Sequence, residues 1–117
     1  MIEGRIEKLL LQMRETAGNA TTWVDGLTKD EFLENPLTQS AVAMMIVVVG
    51  EIATTIVNDY AAFAAEHDDI RWTSMRNMRN RIAHGYYELS WGIVWDTVVI
   101  DLPPLQAWLD TVLRDQR

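Results

Sequence analysis

The chain has 117 residues, no cysteine and a formal net charge of −7. This is the length of one ordinary domain, and chains of about this size bury roughly two-thirds of their unfolded surface, so we expect a single domain over residues 1–117. The absence of thiols excludes disulfides, thiolate zinc sites and cysteine nucleophiles, and it fits a cytoplasmic location. The acidic balance argues against a protein that coats nucleic acid non-specifically.

Apolar residues at helical spacing begin near the N-terminus. They predict a helix that runs to about Val24 and stops near Gly26; its apolar positions are Ile2, Ile6, Leu9, Leu10, Met13 and Ala17. Thr28 and Glu31 form a capping-box pattern, in which each side chain accepts from the backbone N–H of the other. A short helix should follow and end before Pro36, because the residue before a proline avoids helical angles.

A long apolar segment runs from Leu37 or Thr38 to about Ala65. The β-branched run 47–49 is compatible with a strand, but the uninterrupted length and the helical spacing favour a helix. The most apolar run, 41–49, is far shorter than the roughly 20 residues that span a bilayer, so we predict a buried central helix and no membrane contact. One core stripe is predicted at Val42, Met45, Ile46, Val49, Ile52, Ala53 and Ile56.

The second half of the chain is also helical in pattern. Residues 67–72 are predicted as a connection, followed by a helix over about 72–83. Ser90 is suited to cap a helix over about 91–100. Residues 101–104, with two prolines, should break the chain and start a last helix, because proline is tolerated in a first turn. The predicted fold class is all-α, a single-domain up-and-down helical bundle of about five helices.

Basic residues are unevenly distributed. No Lys or Arg occurs between Lys29 and Arg71, and then Arg71, Arg76, Arg79 and Arg81 follow within eleven residues. A focused basic patch on an acidic body suits one local phosphate-contacting site. A solvated helix face is the ordinary explanation of such a cluster, and it stays open.

Arg79 and His84, separated by four residues, have the chemistry for cleaving RNA without a metal. A histidine can take or give a proton near neutral pH, and the arginine fork matches two phosphate oxygens. The histidine would activate the ribose 2′-hydroxyl or protonate the leaving oxygen, and the arginine would stabilise the extra charge on phosphorus. No carboxylate cluster is typical of a magnesium site, so no metal and no cofactor are predicted.

Helix geometry restricts how these two residues can cooperate. Five steps rotate an α-helix by about 500°, which leaves Arg79 and His84 roughly 140° apart. Either the helix ends before His84, or the complete site needs a second copy of the chain, as in a symmetric dimer. The spacing alone is common by chance. Its ordinary explanation is a last helical turn whose cations face solvent and favour the helix C-terminus.

Several markers surround this motif in order: FLENPLTQSAV at the entry to the long helix, GE at 50–51, IRW before the motif, MRNMRNRIAHGYYE, and then IVWDTVVIDLPPL. With them the chain, over about residues 28–109, resembles the HEPN superfamily. Within it the similarity is to the HepT-like ribonuclease toxins of toxin–antitoxin modules. That family's R-x4-H-x-Y motif falls on Arg79, His84 and Tyr86.

The resemblance implies the toxin of a type VII-like toxin–antitoxin system. It would be a metal-independent endoribonuclease that acts as a homodimer or higher oligomer, with its active sites in the cleft between copies. It also implies an antitoxin partner, a minimal nucleotidyltransferase that transfers AMP to Tyr86. The added nucleotide would take the place of the RNA phosphate beside Arg79 and His84. Tyr87 is expected to be a packing residue.

Several other polar residues either support the predicted site or have a role that the sequence leaves undecided. Asn80 and Arg76 are predicted to support or position the site. A carboxylate in so apolar a helix is unfavourable unless paired, so Glu51 either reaches the cleft or orients Arg79 or Arg76, or else it occupies an exposed or interface position. His67 is expected to be exposed and inert, and the five tryptophans to be core or interface anchors. The alternative function is a non-catalytic module that docks a nucleotidyltransferase or binds a nucleotide through the same arginines.

Overall fold

The computed structural model describes residues 2–115, which fold into helices joined by short connections. A 3₁₀ turn covers Tyr86–Glu88, and a π-helical turn covers Thr97–Asp101. No strand occurs within residues 2–115. The all-α bundle predicted from the sequence is confirmed. Its helices are α1 (Gly4–Val24), α2 (Lys29–Leu33), α3 (Pro36–Asp59), α4 (Ala61–Glu66), α5 (Trp72–His84), α6 (Trp91–Asp96) and α7 (Leu102–Arg114).

Helix α3 is the central helix of the bundle. It packs against both α1 and α5, and α1 packs in turn against α7. The predicted core stripe of α3 is buried except for Met45, which is half-buried. By length and composition alone α3 could cross a membrane, with a mean hydropathy of 2.1 over its most apolar stretch, and 44% of that stretch is buried inside the protein. The other large, fully buried side chains come from α1, α2 and the α6–α7 region: Leu10, Met13, Phe32, Val94, Val98 and Leu109.

The predicted capping box forms at the start of α2. The Thr28 backbone N–H donates to Glu31 Oε1 at 2.8 Å, and the Glu31 N–H donates to Thr28 Oγ1 at 3.1 Å. Helix α3 begins at Pro36, one or two residues earlier than predicted, because Asn35 Oδ1 accepts from the Thr38 N–H at 3.1 Å and caps it. A proline in the first turn has no N–H that needs an intrahelical partner.

The prediction that α3 continues to Ala65 is wrong. The helix ends at Asp59, and Tyr60 adopts non-helical angles (φ −135°, ψ 51°) before α4 begins. The bend directs α4 so that the ring of Phe63 lies 4.6 Å from that of His67 and 6.5 Å from that of Trp108. Packing of this aromatic cluster therefore overrides the local helical pattern.

His67 is half-buried in the aromatic cluster, so the prediction that it is exposed is wrong. Its ring lies 5.3 Å from that of Trp108, and its carbonyl accepts from Trp72 Nε1 at 3.0 Å. Trp72 itself is buried. Among the five tryptophans only Trp23 is exposed.

The predicted break at residues 101–104 does not occur. The backbone stays helical from α6 through the π-helical turn into α7, with φ −89° and ψ −35° at Asp101 and φ −70° and ψ −39° at Leu102. Prolines 103 and 104 lie in the first turn of α7, where a missing N–H is tolerated. A π-helical turn already departs from the regular pattern of hydrogen bonds, so it can pass into the proline pair without a loop.

Candidate functional site: the α3–α5 crossing and the tyrosine turn

Helices α3 and α5 meet at Gly50 with almost no space between them. A Cβ atom at Gly50 would overlap the Cβ of Arg79 and would lie 2.7 Å from the carbonyl oxygen of Met75. Glycine lowers helix stability by about 1 kcal/mol relative to alanine, so its presence in the middle of α3 requires a compensating role. Here it lets α5 approach closely and brings Arg79 beside the next residue of α3, Glu51.

Arg79 is held on two sides of its guanidinium group. Nε donates to Oε1 of Glu51 and Nη2 forms an ion pair with the same oxygen, while Nη1 donates to Asn80 Oδ1 at 2.6 Å. The Arg79 side chain is 32% exposed and that of Glu51 is 51% exposed. The carboxylate occupies the edge formed by Nε and Nη2, and Asn80 accepts one N–H of Nη1. The remaining N–H of Nη1 and that of Nη2 stay available to a phosphate.

Glu51 therefore pairs with Arg79 and not with Arg76. Both of its predicted descriptions hold in part, since the carboxylate orients an arginine and is also half exposed. Arg76 is half-buried and makes no ion pair or hydrogen bond of its side chain with any residue between 2 and 115.

His84 is exposed and is the last residue of α5. Because Arg79 and His84 both lie inside this helix, their side chains leave it roughly 140° apart and about 7.5 Å apart along its axis. The first of the two predicted arrangements, in which the helix ends before His84, is thus wrong. Within residues 2–115 the His84 ring has no hydrogen-bond partner, so nothing in one chain turns it toward Arg79.

Tyr86 is anchored on the 3₁₀ turn that follows α5. Its hydroxyl lies 2.6 Å from Ser40 Oγ on α3, and its ring stands edge-on to that of Trp91 at 5.5 Å. Tyr86 is 39% exposed, whereas Tyr87 is fully exposed. The prediction that Tyr87 packs is therefore wrong. Successive side chains of a 3₁₀ turn point about 120° apart, so only one of the two tyrosines can face α3.

One face of α3 supports both the arginine and the tyrosine. Ser40 and Glu51 are eleven residues apart. On a regular helix this places them within about 20° of one face and about 16 Å apart along the axis. The side chain of Met44, which lies between them, is 57% exposed. Within one chain, Tyr86 and Arg79 consequently stand at opposite ends of a strip on α3, which we call the α3 strip (Ser40, Met44 and Glu51).

The opposite side of α5 borders an open groove of about 770 Å³. Asn77 and Arg81 line it from α5, and Ile93 and Ile100 line it from α6 and the π-helical turn. Arg81 is exposed and forms no ion pair with any residue in the described part of the chain. Nor do three histidine, aspartate or glutamate side chains cluster within residues 2–115 in a way that could hold a metal ion.

Sequence reasoning missed Ser40 and the structural role of Gly50. A glycine within a long helical pattern is a recognised sign of close backbone approach, so Gly50 could have been interpreted in that way. Ser40 gave no comparable sign, because its contact joins residues 46 positions apart.

Comparison with known proteins places these residues in context. The family model described as "Ribonuclease HepT-like" matches residues 6–112. The chain is similar to a protein of Thermococcus cleftensis named "Probable ribonuclease HepT", with 32% identity over 67% of this chain and 68% of the relative. A protein of Methanocaldococcus jannaschii, whose name marks it as a candidate RNase, is 24% identical over 94% of this chain and 88% of its own length. No solved structure matches the chain at a significant level.

Proposed function

The chain belongs to the HepT-like ribonuclease family, and on that premise we propose that it is a toxin endoribonuclease of a type VII-like toxin–antitoxin system. The observation that carries the proposal is the fixed arginine. Glu51 and Asn80 hold the Arg79 guanidinium in place and leave part of its fork free. The exposed His84 lies five residues further along the same helix, α5. An arginine oriented in advance can stabilise phosphorane charge without reorganising during the reaction.

The proposed reaction is metal-independent transesterification of RNA. His84 removes the proton of a ribose 2′-hydroxyl, and the 2′-oxygen attacks the adjacent phosphorus. The bond from phosphorus to the 5′-oxygen breaks, a protonated imidazole gives that oxygen its proton, and a 2′,3′-cyclic phosphate and a 5′-hydroxyl result. Arg79 binds the non-bridging oxygens, on which negative charge builds up.

A homodimer would complete this site. Arg79 and His84 leave α5 in directions roughly 140° apart, so one chain alone does not aim both at a single phosphate. A two-fold axis beside α5 would bring two arginines and two histidines into one cleft, in which one imidazole acts as base and the other as acid. The exposed side chain of Leu37 on α3 supplies apolar surface for such a contact.

The proposed control of the toxin is AMP transfer to Tyr86 by a minimal nucleotidyltransferase, with both proteins in the cytoplasm. In a single chain the Tyr86 hydroxyl lies about 16 Å along α3 from Glu51, so the phosphate of the attached AMP would not sit on Arg79 of the same chain. The nucleotide would instead cover the α3 strip and place its negative charge where an RNA strand would approach Arg79. It would thereby exclude RNA by bulk and by charge.

The decisive experiment is RNA cleavage by purified His84→Ala in EDTA at physiological salt. We expect cleavage to fall to background while circular dichroism and the oligomeric state stay unchanged, because His84 is exposed and its ring is unbonded within residues 2–115. Lys8→Ala, an exposed change on α1, is the matched control and should cleave as the parent does. Cleavage by His84→Ala at the parental rate would refute the assignment. Tight nucleotide binding without any cleavage by the parent would favour the alternative, a non-catalytic module that docks a nucleotidyltransferase.

A further inference from the structure

Within residues 2–115, the contact between Ser40 and Tyr86 is the one side-chain hydrogen bond between α3 and the turn that follows α5. It joins residues 46 positions apart, and the two oxygens lie 2.6 Å from each other. Both residues are exposed at the surface, so the bond is not needed to satisfy a buried polar group. A short hydroxyl pair at an exposed position instead fixes where the phenol oxygen stands.

Accessibility alone would favour the other tyrosine as the acceptor of a nucleotidyl group. Tyr87 is 100% exposed and Tyr86 is 39% exposed. The Tyr87 hydroxyl has no hydrogen-bond partner within residues 2–115, and its ring stands edge-on to that of Tyr86 at 6.0 Å. The Tyr86 ring is fixed at both ends, by Trp91 at its edge and by Ser40 at its hydroxyl. A group-transfer enzyme needs its acceptor oxygen in a defined position. Correct orientation of that oxygen can raise the transfer rate more than greater exposure does.

We propose that Ser40 is the positioning residue that makes Tyr86, and not Tyr87, the acceptor in AMP transfer. This inference rests on the proposed function and adds a residue on α3 to its regulation. Either hydroxyl can donate in this pair. In the arrangement that the proposal uses, the Tyr86 hydroxyl donates to Ser40 Oγ, which leaves the lone pairs of the phenol oxygen for an incoming nucleotide.

The step balances with ATP as the co-reactant. The Tyr86 oxygen forms a bond to the α-phosphorus of ATP, the bond from that phosphorus to the oxygen bridging to the β-phosphate breaks, and pyrophosphate leaves. The phenol proton departs along the hydrogen bond toward Ser40 and from there to water, since Ser40 is exposed. After transfer the tyrosine oxygen carries no proton and can no longer donate to Ser40.

The test compares the parent with Ser40→Ala and Ser40→Thr. Each protein is incubated with the cognate minimal nucleotidyltransferase and ATP, and peptide mapping by mass spectrometry measures AMP on each tyrosine over time. We expect the parent to be modified on Tyr86. In Ser40→Ala, modification of Tyr86 should slow about tenfold, the equivalent of one lost hydrogen bond, with a growing share on Tyr87. Ser40→Thr keeps the hydroxyl and should restore the rate on Tyr86.

The outcomes separate this proposal from the function on which it rests. Modification of Tyr86 at the parental rate in Ser40→Ala would overturn the role of Ser40 while leaving the regulation through Tyr86 intact. A Ser40→Thr protein as slow as Ser40→Ala would also overturn it, because the hydroxyl would not be the cause. A parent that cleaves RNA but never acquires AMP would refute the regulation and this proposal together, and would leave the ribonuclease assignment standing. Far-ultraviolet circular dichroism on all three proteins checks that the bundle is unchanged.

Discussion

The two sides of α5 differ sharply in how closely they are packed. On one side Gly50 allows the backbone of α3 so near that even a methyl group would collide with Arg79 and Met75. On the other side Asn77 and Arg81 border a groove of about 770 Å³. Two arginines that are only two positions apart in sequence thus have opposite environments.

This difference shows what turns an arginine cluster into a candidate site. Arg79 is held by Glu51 and Asn80, while Arg81 is exposed and forms no ion pair within residues 2–115. A long, flexible side chain loses rotamer entropy when it binds a ligand, so an arginine that is already fixed has less to lose. We therefore propose the phosphate-binding role for Arg79 on the tight side of α5, and a solvated cation for Arg81 on the open side.

The largest expected effect is that of removing the tight packing. In Gly50→Ala the new methyl group forces α3 and α5 apart, which should lower the free energy of unfolding by about 1–3 kcal/mol or more. RNA cleavage should fall as well, because Glu51 no longer meets Arg79. Urea unfolding and a cleavage assay measure the two losses. The matched control is Gly18→Ala on α1, where the new Cβ meets no atom beyond its own helix nearer than Gln106 Nε2 at 4.0 Å. It should stabilise the protein by up to about 1 kcal/mol. Equal stability of the two variants would contradict the close crossing.

The next effect compares the two arginines directly. Arg79→Ala should lower kcat about a hundredfold or more, because the charge on the phosphorane loses its oriented donor. Arg81→Ala should change kcat/KM by less than about tenfold and should act mainly on KM, since an exposed cation contributes to general attraction of RNA. Steady-state cleavage of one labelled RNA at fixed salt measures both. If Arg81→Ala proved the more damaging change, the groove side of α5 would be the catalytic side.

A smaller effect is expected for the carboxylate that orients Arg79. Glu51→Gln should change the free energy of unfolding by no more than about 1 kcal/mol, because the pair is half exposed and screened by solvent. Cleavage should nevertheless fall roughly tenfold, since a neutral amide holds the guanidinium less firmly than a carboxylate does. The same assays apply, with Glu15→Gln on α1 as the control for the charge change. A rise in cleavage would show instead that Glu51 competes with the RNA phosphate for Arg79.

Local signals in the sequence predicted the helices well and their tertiary bends poorly. The capping box at Thr28 and Glu31 depends only on neighbouring residues, and it forms as predicted. The bend at Tyr60 serves an aromatic cluster whose member Trp108 lies far along the chain, so no local pattern announces it. The proline pair at 103–104 is a local signal, but it is ambiguous, because prolines permit a first helical turn as readily as they end a helix. The predicted break was wrong for that reason.

The sequence was enough to name the residues of the candidate site, but it did not predict how they are arranged in space. Helical rotation alone separated Arg79 from His84, and their common location in α5 confirms that separation. The choice between Arg76 and Arg79 as the partner of Glu51 required the crossing of two helices. The family motif distinguished Tyr86 from Tyr87, but the contact of Tyr86 with Ser40 on α3 is tertiary, and sequence spacing does not contain it.

The spacing along α3 also governs which changes in chain length the protein can accept. Ser40 and Glu51 share a face because eleven residues make almost a whole number of helical turns. A single residue inserted between them would rotate one against the other by about 100°, so Tyr86 or Arg79 would lose its partner on α3. Substitutions between these positions leave the register intact. Divergence in this segment should thus proceed by replacement of side chains and not by insertion or deletion.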